Sequence, residues 1–181
     1  MELGRLTPSK KYKLTLLIFF SLWLAFTLIA PFTVPGNSVN DLSGKASQID
    51  NERTWGKMNP FAASMYFLGD AFCTEITDHS YFLNGNQMPF CARCTGIFIG
   101  LVVGMVVAIV LDPKIRLWLL ALGLLPILVD GGLQLVTSYQ SVNPLRVATG
   151  LLAGMVVSLY LSRMANTLLE PRPKGQKEAA H

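Results

Sequence analysis

Long apolar segments alternate with polar stretches along the chain, and their lengths predict where it crosses a membrane. They extend over Leu14–Val34, Thr95–Leu111, Leu117–Val136 and Val147–Leu161. A helix of about 20 residues rises about 30 Å, which is the hydrocarbon thickness of a bilayer. The pattern therefore predicts an all-α fold, namely a polytopic membrane protein with four transmembrane helices.

The first apolar segment follows a basic stretch, so it has to be distinguished from a cleaved signal peptide. It is longer than the apolar region of a typical signal peptide, about 7–15 residues, and no small-residue cleavage motif follows it. We interpret it as a retained helix that ends at Pro31 and Pro35.

A shorter apolar segment, Phe61–Phe72, cannot span a bilayer and predicts one short interfacial or re-entrant helix. Polar residues 36–60 precede it and have the composition of an extramembrane loop. The predicted organisation is a cytoplasmic flank and first helix, an extracytoplasmic loop with the short helix and the cysteines, a three-helix membrane core and a cytoplasmic tail. These parts correspond to residues 1–35, 36–94, 95–163 and 164–181.

Composition and charge agree with a membrane location. The chain is 51% hydrophobic and 14% charged, which is too little charge for the surface of an ordinary soluble domain and too much apolar side chain for a disordered one. Basic residues flank the apolar segments at both ends of the chain, whereas acidic residues prevail in the loop 36–90. The positive-inside rule then predicts a multi-pass protein of the cell membrane with both termini cytoplasmic. Because orientation accounts for the basic residues, no nucleic-acid partner is expected.

Glycines recur every fourth residue in two of the apolar segments. Gly96, Gly100 and Gly104 lie in the second segment, and Gly150 and Gly154 lie in the fourth. Such stripes let helix backbones approach closely within a membrane. They predict close packing between helices, with another membrane protein as a possible partner besides the surrounding lipid.

Polar residues near the predicted outer ends of the membrane segments are candidates for a functional site, because charges in such segments are costly. Topology brings Arg93, Asp130, Gln134, Asn143 and Arg146 to a similar depth. Asp130 ends one helix and Arg146 begins the next, so we expect them to form an ion pair with Gln134 and Asn143 around it. The alternative is that this pair only holds two helices in register.

The three cysteines and one histidine form a second candidate cluster. Cys91 and Cys94 form a C-x-x-C motif at a predicted helix start, where backbone N–H groups favour a thiolate. With Cys73 and His79 they would complete a Cys3His site suited to structural zinc. Alternatively, Cys91 and Cys94 form a redox-active disulfide, or a purely structural one on the oxidising side of the membrane.

Several short motifs resemble a known family of small predicted membrane proteins, domain of unknown function 2085. They are HSYF (79–82), PFCARCTGIFIG (89–100), LP (125–126), DGG (130–132), SVNPLR (141–146) and TG (149–150). The resemblance extends from about Phe72 to Gly154, and CARCTGI is its most specific part. It differs at Cys73, which Thr74 and Glu75 follow where the family usually has histidine and glutamine. The resemblance implies a membrane architecture and no particular activity.

Two main hypotheses follow for the function. In the first, an outward-facing site performs thiol-redox or lipid-phosphate chemistry, with the cysteines or Asp130 as catalytic groups and the arginines holding an anion. Its candidate catalytic residues are Cys91, Cys94 and Asp130, and its candidate substrate-binding residues are Arg93, Gln134, Asn143 and Arg146. In the second, the protein is a non-catalytic accessory subunit whose cysteines form a structural disulfide or zinc site. A small transporter is less favoured, because four short spans leave little room for a pathway.

Overall fold

The fold is a bundle of long helices with a folded segment at one end, seen in a computed structural model that describes residues 7–44 and 48–169. Its α-helices are α1 (Pro8–Ile29), α2 (Glu52–Trp55), α3 (Pro60–Phe72), α4 (Ala92–Leu111), α5 (Leu117–Val136) and α6 (Asn143–Leu169). Short 3-10 helices cover Ala30–Phe32 and Thr77–His79, and β1 (Phe82–Leu83) pairs antiparallel with β2 (Asn86–Gln87).

Helices α1, α4, α5 and α6 are long and apolar enough to cross a membrane, which confirms the predicted class. The bounds of α5 are those predicted, whereas α6 begins four residues before Val147 and ends eight after Leu161. Its backbone stays helical beyond the apolar core at both ends, from Asn143 to Leu169. Residues 1–6 of the predicted flank and 170–181 of the predicted tail lie outside the described residues.

The two glycine stripes face each other, and they join α4 to α6. A Cβ atom at Gly100 would lie 2.2 Å from the carbonyl oxygen of Leu151, and one at Gly154 would lie 2.2 Å from that of Ile97. These distances are far below van der Waals contact, so the backbones are as close as glycine allows. The prediction that the stripes dock another membrane protein is therefore wrong, since both are covered inside this chain.

Helix α5 is the most peripheral of the four. Asp130 is its buried residue, and large apolar side chains, including Leu125 and Leu128, are exposed around it. A lipid environment accommodates such a surface, because hydrocarbon tails are as apolar as leucine. The attachment of α5 therefore depends on a few contacts, and the polar contact of Asp130 is prominent among them.

The polar segment between α1 and α4 is folded rather than an open loop. Asn86 and Gln87 in β2 are both 0% exposed. The Asn86 amide donates to the carbonyls of Pro31 and Pro35 and accepts from the amides of Ser38 and Val39. These bonds tie the hairpin to the end of α1, so the segment is anchored on the bundle.

The predicted short helix before Cys73 is confirmed as α3. Asn59 caps it by accepting from the Ala62 amide at 3.0 Å, and Pro60 occupies its first turn. Near its end, a Cβ atom at Gly69 would lie 1.8 Å from the Pro89 carbonyl oxygen. This close approach brings the end of α3 beside the chain that enters α4.

At the opposite end of the bundle, a polar network joins α1, α4 and α6. Lys13 is buried and its Nζ lies 2.6 Å from Asp112 Oδ1, to which the Asn166 amide also donates. Asp112 follows the last residue of α4 and caps the helix with a left-handed φ of +42°. The hydrogen bond from Lys13 is the main cause that lowers the pKa of Asp112. The network holds the ends of three helices together.

Candidate metal centre and the neighbouring charged cluster

The three cysteines meet where α3 ends and α4 begins. Cys73 follows the last residue of α3, Cys91 precedes α4, and Cys94 lies in its first turn. All three Sγ atoms lie within 4.8 Å of one another, and those of Cys73 and Cys94 are 3.5 Å apart. The three thiols are free. The structure therefore brings together three of the four residues expected in the cysteine–histidine cluster.

The surroundings of the cluster favour one shared thiolate. Hydrogen bonds from Cys73 and Cys94, together with the backbone amides of Cys94 and Arg93, hold the pKa of the Cys91 thiol well below its ordinary value. The pKa of the Cys73 thiol is raised above its ordinary value. The main cause is its hydrogen bond to Cys91, followed by its hydrogen bond to Cys94 and by burial. The amide of Cys91 also donates to Cys73 Sγ at 3.3 Å. These contacts favour the thiolate form of Cys91 over that of Cys73.

The spacing of the sulfur atoms fits a thiolate-bound metal ion. Zinc–sulfur bonds of about 2.3 Å imply sulfur–sulfur separations of about 3.8 Å in tetrahedral coordination. The Cys73 and Cys94 sulfurs are 3.5 Å apart, and all three sulfurs lie within 4.8 Å of one another, so the expected separation of about 3.8 Å falls within this range. Three thiolates are soft ligands, which suits Zn²⁺ and related thiophilic ions. A tetrahedral ion in this position would have one open coordination site.

His79 is outside this group of ligand atoms. Its ring Nε2 donates to Oε1 of Gln140, in the connection between α5 and α6, at 3.1 Å. Burial and then the positive charge of Arg146 lower the pKa of His79, while Cys91 acts in the opposite direction. His79 therefore lies within electrostatic range of both Cys91 and Arg146, and the Cys3His set predicted from spacing is not formed.

Asp130 pairs with Arg93 instead of the expected Arg146. Arg93 Nη2 donates to Asp130 Oδ2 and, at 2.8 Å, to Gln134 Oε1. Asp130 is 5% exposed, so its charge needs a partner within the protein. The prediction followed chain order, which places Asp130 and Arg146 on successive helices, but the side chain of Arg93 reaches α5 from α4.

Arg146 is 3% exposed and makes no ion pair with any described residue. Its Nε donates to the Ser141 carbonyl at 2.9 Å, and its Nη2 is buried without a hydrogen bond. Asn143, one turn earlier, donates through Nδ2 to the Ser80 carbonyl at 3.3 Å and has a buried Oδ1 without a partner. The four substrate-binding candidates therefore divide into Arg93 and Gln134, which bond to each other beside Asp130, and Asn143 and Arg146, which have no such partner.

Sequence analysis missed several residues around these groups. The Tyr139 hydroxyl donates to Asp130 Oδ1 at 3.4 Å, and Gln140 binds His79. Both belong to the short connection between α5 and α6, where the polar run TSYQSVN was the available signal. A connection this short keeps its polar side chains over the ends of the helices it joins, beside Asp130 and Arg146.

Two buried acidic residues, Asp70 and Glu75, precede and follow Cys73 in the chain. Hydrogen bonds from Trp55 and from Asn51 and Asp50 outweigh burial and lower the pKa of Asp70. Asn51 also donates to Glu75 Oε2 at 2.8 Å. Burial, followed by the Asp70 charge, raises the pKa of Glu75 to about 8. These bonds fix the chain on both sides of Cys73.

Comparison with known proteins places the chain among membrane proteins without a described activity. A family model described as "Predicted membrane protein (DUF2085)" matches residues 73–160, which include all three cysteines, Asp130 and Arg146. An uncharacterized protein of Methanocaldococcus jannaschii is 32% identical over 157 residues, or 84% of this chain and 91% of that protein. An uncharacterized protein of Methanothermobacter thermautotrophicus is 30% identical over 100 residues, which are 54% of this chain and 90% of that protein. No solved structure matches the chain.

Proposed function

We propose that this chain, which belongs to the DUF2085 family of predicted membrane proteins, binds one thiophilic metal ion at Cys73, Cys91 and Cys94. Zinc is the expected ion. The observation that carries the proposal is the convergence of three free thiols from two separate elements, with all Sγ atoms within 4.8 Å. A metal ion would join the end of α3 to the start of α4, and so fix the segment between α1 and α4, which we propose to be the outer segment, to the membrane bundle.

The charge of a metal-bound cluster supports a divalent ion. When Zn²⁺ binds, the three thiols lose their protons, because thiolates are the ligands. Three thiolates and a divalent cation carry one negative charge in total. A divalent ion would therefore offset two of the three thiolate charges at this buried site.

The open fourth position distinguishes this arrangement from a closed structural zinc site. Structural sites use four protein ligands, whereas sites that act on a ligand have three and an exchangeable water. The His79 ring is engaged with Gln140, which supports a three-ligand site. The cysteines then act as metal ligands, and the Arg93–Asp130 pair positions α5 beside them.

We further infer that both termini are cytoplasmic and that the cysteine site faces outward. The basic residues at the two chain ends and in the α4–α5 turn support this orientation. Reporter fusions after residue 181 and within residues 36–44 are expected to report opposite sides of the membrane. Activity of both reporters on one side would refute the orientation.

The metal proposal predicts stoichiometric zinc in the purified full chain. Elemental analysis after gel filtration in detergent is expected to find about one zinc ion per chain, and about a tenth of that or less in Cys91→Ser. Thr95→Ser is the matched control, because it changes the residue beside Cys94 and leaves all three thiols in place. Zinc-free wild-type protein that also fails to take up added zinc would contradict the proposal.

A thiol–disulfide function is the second candidate, and the 3.5 Å separation of the Cys73 and Cys94 sulfurs favours it. In this function two thiols lose two electrons and two protons to an oxidant, a disulfide or a quinone, and form one disulfide. Alkylation of denatured protein distinguishes the two functions. Three alkylated cysteines after metal removal support the metal site, whereas one alkylated cysteine supports the disulfide.

If zinc is present and no ligand exchanges at its fourth position, the site has a structural role. The protein would then fit the non-catalytic accessory subunit, whose cysteine site stabilises the outer segment.

A further inference from the structure

Arg146 presents a buried positive charge without a protein counter-ion. Its Nη2 has no hydrogen bond, and the residue is 3% exposed. Removing an unpaired charge from water is costly, so proteins pair buried guanidinium groups with anions. The side chain is nonetheless held in place by the bond from its Nε to Ser141. The guanidinium is thus held in place, shielded from water and left with an N–H group that has no acceptor. This is the arrangement expected of an anion-binding group.

The negative groups nearby are already engaged. Asp130 accepts from Arg93 and Tyr139, so its charge is compensated. Cys91 is held among the other two thiols, and metal binding would engage it further. Neither group lies within ion-pair or hydrogen-bonding distance of Arg146 among the described contacts. The Nη2 group is thus left with a vacant donor position.

Other unsatisfied polar atoms lie in the same layer of the bundle. A Cβ atom at Gly96 would contact Val147, and one at Gly150 would contact Arg93, so the first turns of α4 and α6 are side by side. The buried side-chain atoms without a hydrogen bond in these turns include Arg93 Nε, Thr95 Oγ1, Asn143 Oδ1 and Arg146 Nη2. Native proteins leave few buried polar atoms unpaired, so several in two adjoining turns indicate a missing polar ligand.

The chemistry of these atoms defines the ligand. The two arginine nitrogens donate, the threonine hydroxyl donates or accepts, and the asparagine oxygen accepts. An oxyanion that also carries a hydroxyl satisfies both kinds of group, and the monoanion of a phosphate monoester, which keeps one P–OH group below its second pKa of about 6, is such an ion. Arginine suits this class because its planar donor array matches phosphate oxygens. Arg146 is the fourth residue of α6, about 5 Å along the helix from its first residue, so it lies near the expected level of lipid phosphates.

We propose that Arg146, with Asn143 and the first turn of α4, binds the phosphate group of a phosphomonoester. The group belongs either to a lipid headgroup at the outer ends of α4 and α6 or to a small soluble phosphate. The site differs from that expected from the sequence, because Arg93 is neutralised by Asp130 and Arg146 carries the binding. It is independent of the metal site, since its donors come from other residues.

The test measures thermal unfolding of the full chain by tryptophan fluorescence in phosphatidylcholine nanodiscs. One arm adds inorganic phosphate at constant ionic strength with sodium chloride as balance, and the other replaces part of the lipid with phosphatidic acid. A saturable rise in the unfolding temperature is expected in at least one arm. A rise with inorganic phosphate identifies a soluble phosphate site, and a rise with phosphatidic acid alone identifies a headgroup site.

Arg146→Gln is expected to weaken the response, with half-saturation at about 10-fold higher ligand or more, since it removes a charged hydrogen bond. Arg116→Gln is the matched control, because Arg116 is an exposed arginine just before α5. An unchanged response in Arg146→Gln would overturn the proposal. If Arg146→Gln does not fold, the responses of Arg146→Lys and of the wild type still test the proposal. A wild-type response no larger than that to chloride, or an Arg146→Lys response equal to wild type, would overturn the proposal.

Discussion

Replacing Gly154 by leucine is expected to separate α4 from α6 and to abolish the folded bundle. A Cβ atom at this position would lie 2.2 Å from the Ile97 carbonyl oxygen and 2.8 Å from the Leu101 amide nitrogen. Ordinary overpacking costs about 1–3 kcal/mol. The cost here should exceed that range, because the obstructing atoms are backbone and cannot rotate away. Gel filtration and thermal unfolding in detergent would detect the loss.

Gly132→Leu provides the control for this substitution. Gly132 also lies in a membrane-spanning helix, but a Cβ atom there would meet no atom within 4 Å. The control should therefore keep the elution volume and unfolding temperature of the wild type. Equal damage from both variants would contradict the close helix contact. Separation of α4 from α6 should also reduce bound zinc, because Cys94 and the contact of Arg93 with Gly150 share one helical turn.

Asp130→Asn is expected to lower the free energy of unfolding by about 3–5 kcal/mol, because it leaves Arg93, whose side chain is only 20% exposed, without its counter-ion. Arg93→Gln should have a similar effect by leaving Asp130 unpaired. The double variant Arg93→Gln, Asp130→Asn should recover most of the loss, since neither charge then remains. Denaturant unfolding of the four proteins in one detergent measures these differences. The peripheral position of α5 makes the ion pair important to its attachment.

Asp78→Asn is the matched control, because Asp78 is an exposed acid in the segment between α1 and α4. Its effect should stay within about 0.5 kcal/mol, as for most surface substitutions. A similarly small effect of Asp130→Asn would contradict the structural role of the pair. A double variant as unstable as the sum of the two single variants would show that Asp130 and Arg93 act separately.

The membrane helices could be predicted because each is a continuous apolar run of sufficient length. Their rotation about the helix axis is harder to read from sequence, and the ion pair shows why. Chain order places Asp130 beside Arg146, but the contacts of Gly96 with Val147 and of Gly150 with Arg93 fix how α4 faces α6. Arg93 then meets Asp130. The same glycines were recognised as packing residues, yet their partner became evident only from the fold.

The segment between α1 and α4 could not be predicted from hydrophobic periodicity, because buried polar side chains organise it. Asn86 and Gln87 are indistinguishable in sequence from residues of a solvated loop. They are buried because they satisfy backbone groups of the chain that leaves α1 and of the segment after it. His79 illustrates the same limit, since its spacing from the cysteines suggested a metal ligand. The 3-10 helix at Thr77–His79 and the bond to Gln140 keep its ring out of the cysteine group.

X-ray absorption at the zinc K-edge of the purified full chain tests the central claim most directly. A zinc ion held by Cys73, Cys91 and Cys94 should give three sulfur neighbours at about 2.3 Å and one lighter neighbour at about 2.0–2.1 Å. The Cys91→Ser, Cys94→Ser double variant incubated with the same amount of zinc should retain little of it, and any zinc that stays bound should have at most one sulfur neighbour, from Cys73. A wild-type spectrum with only nitrogen or oxygen neighbours, or purified chain that holds no zinc after incubation with it, would contradict the account.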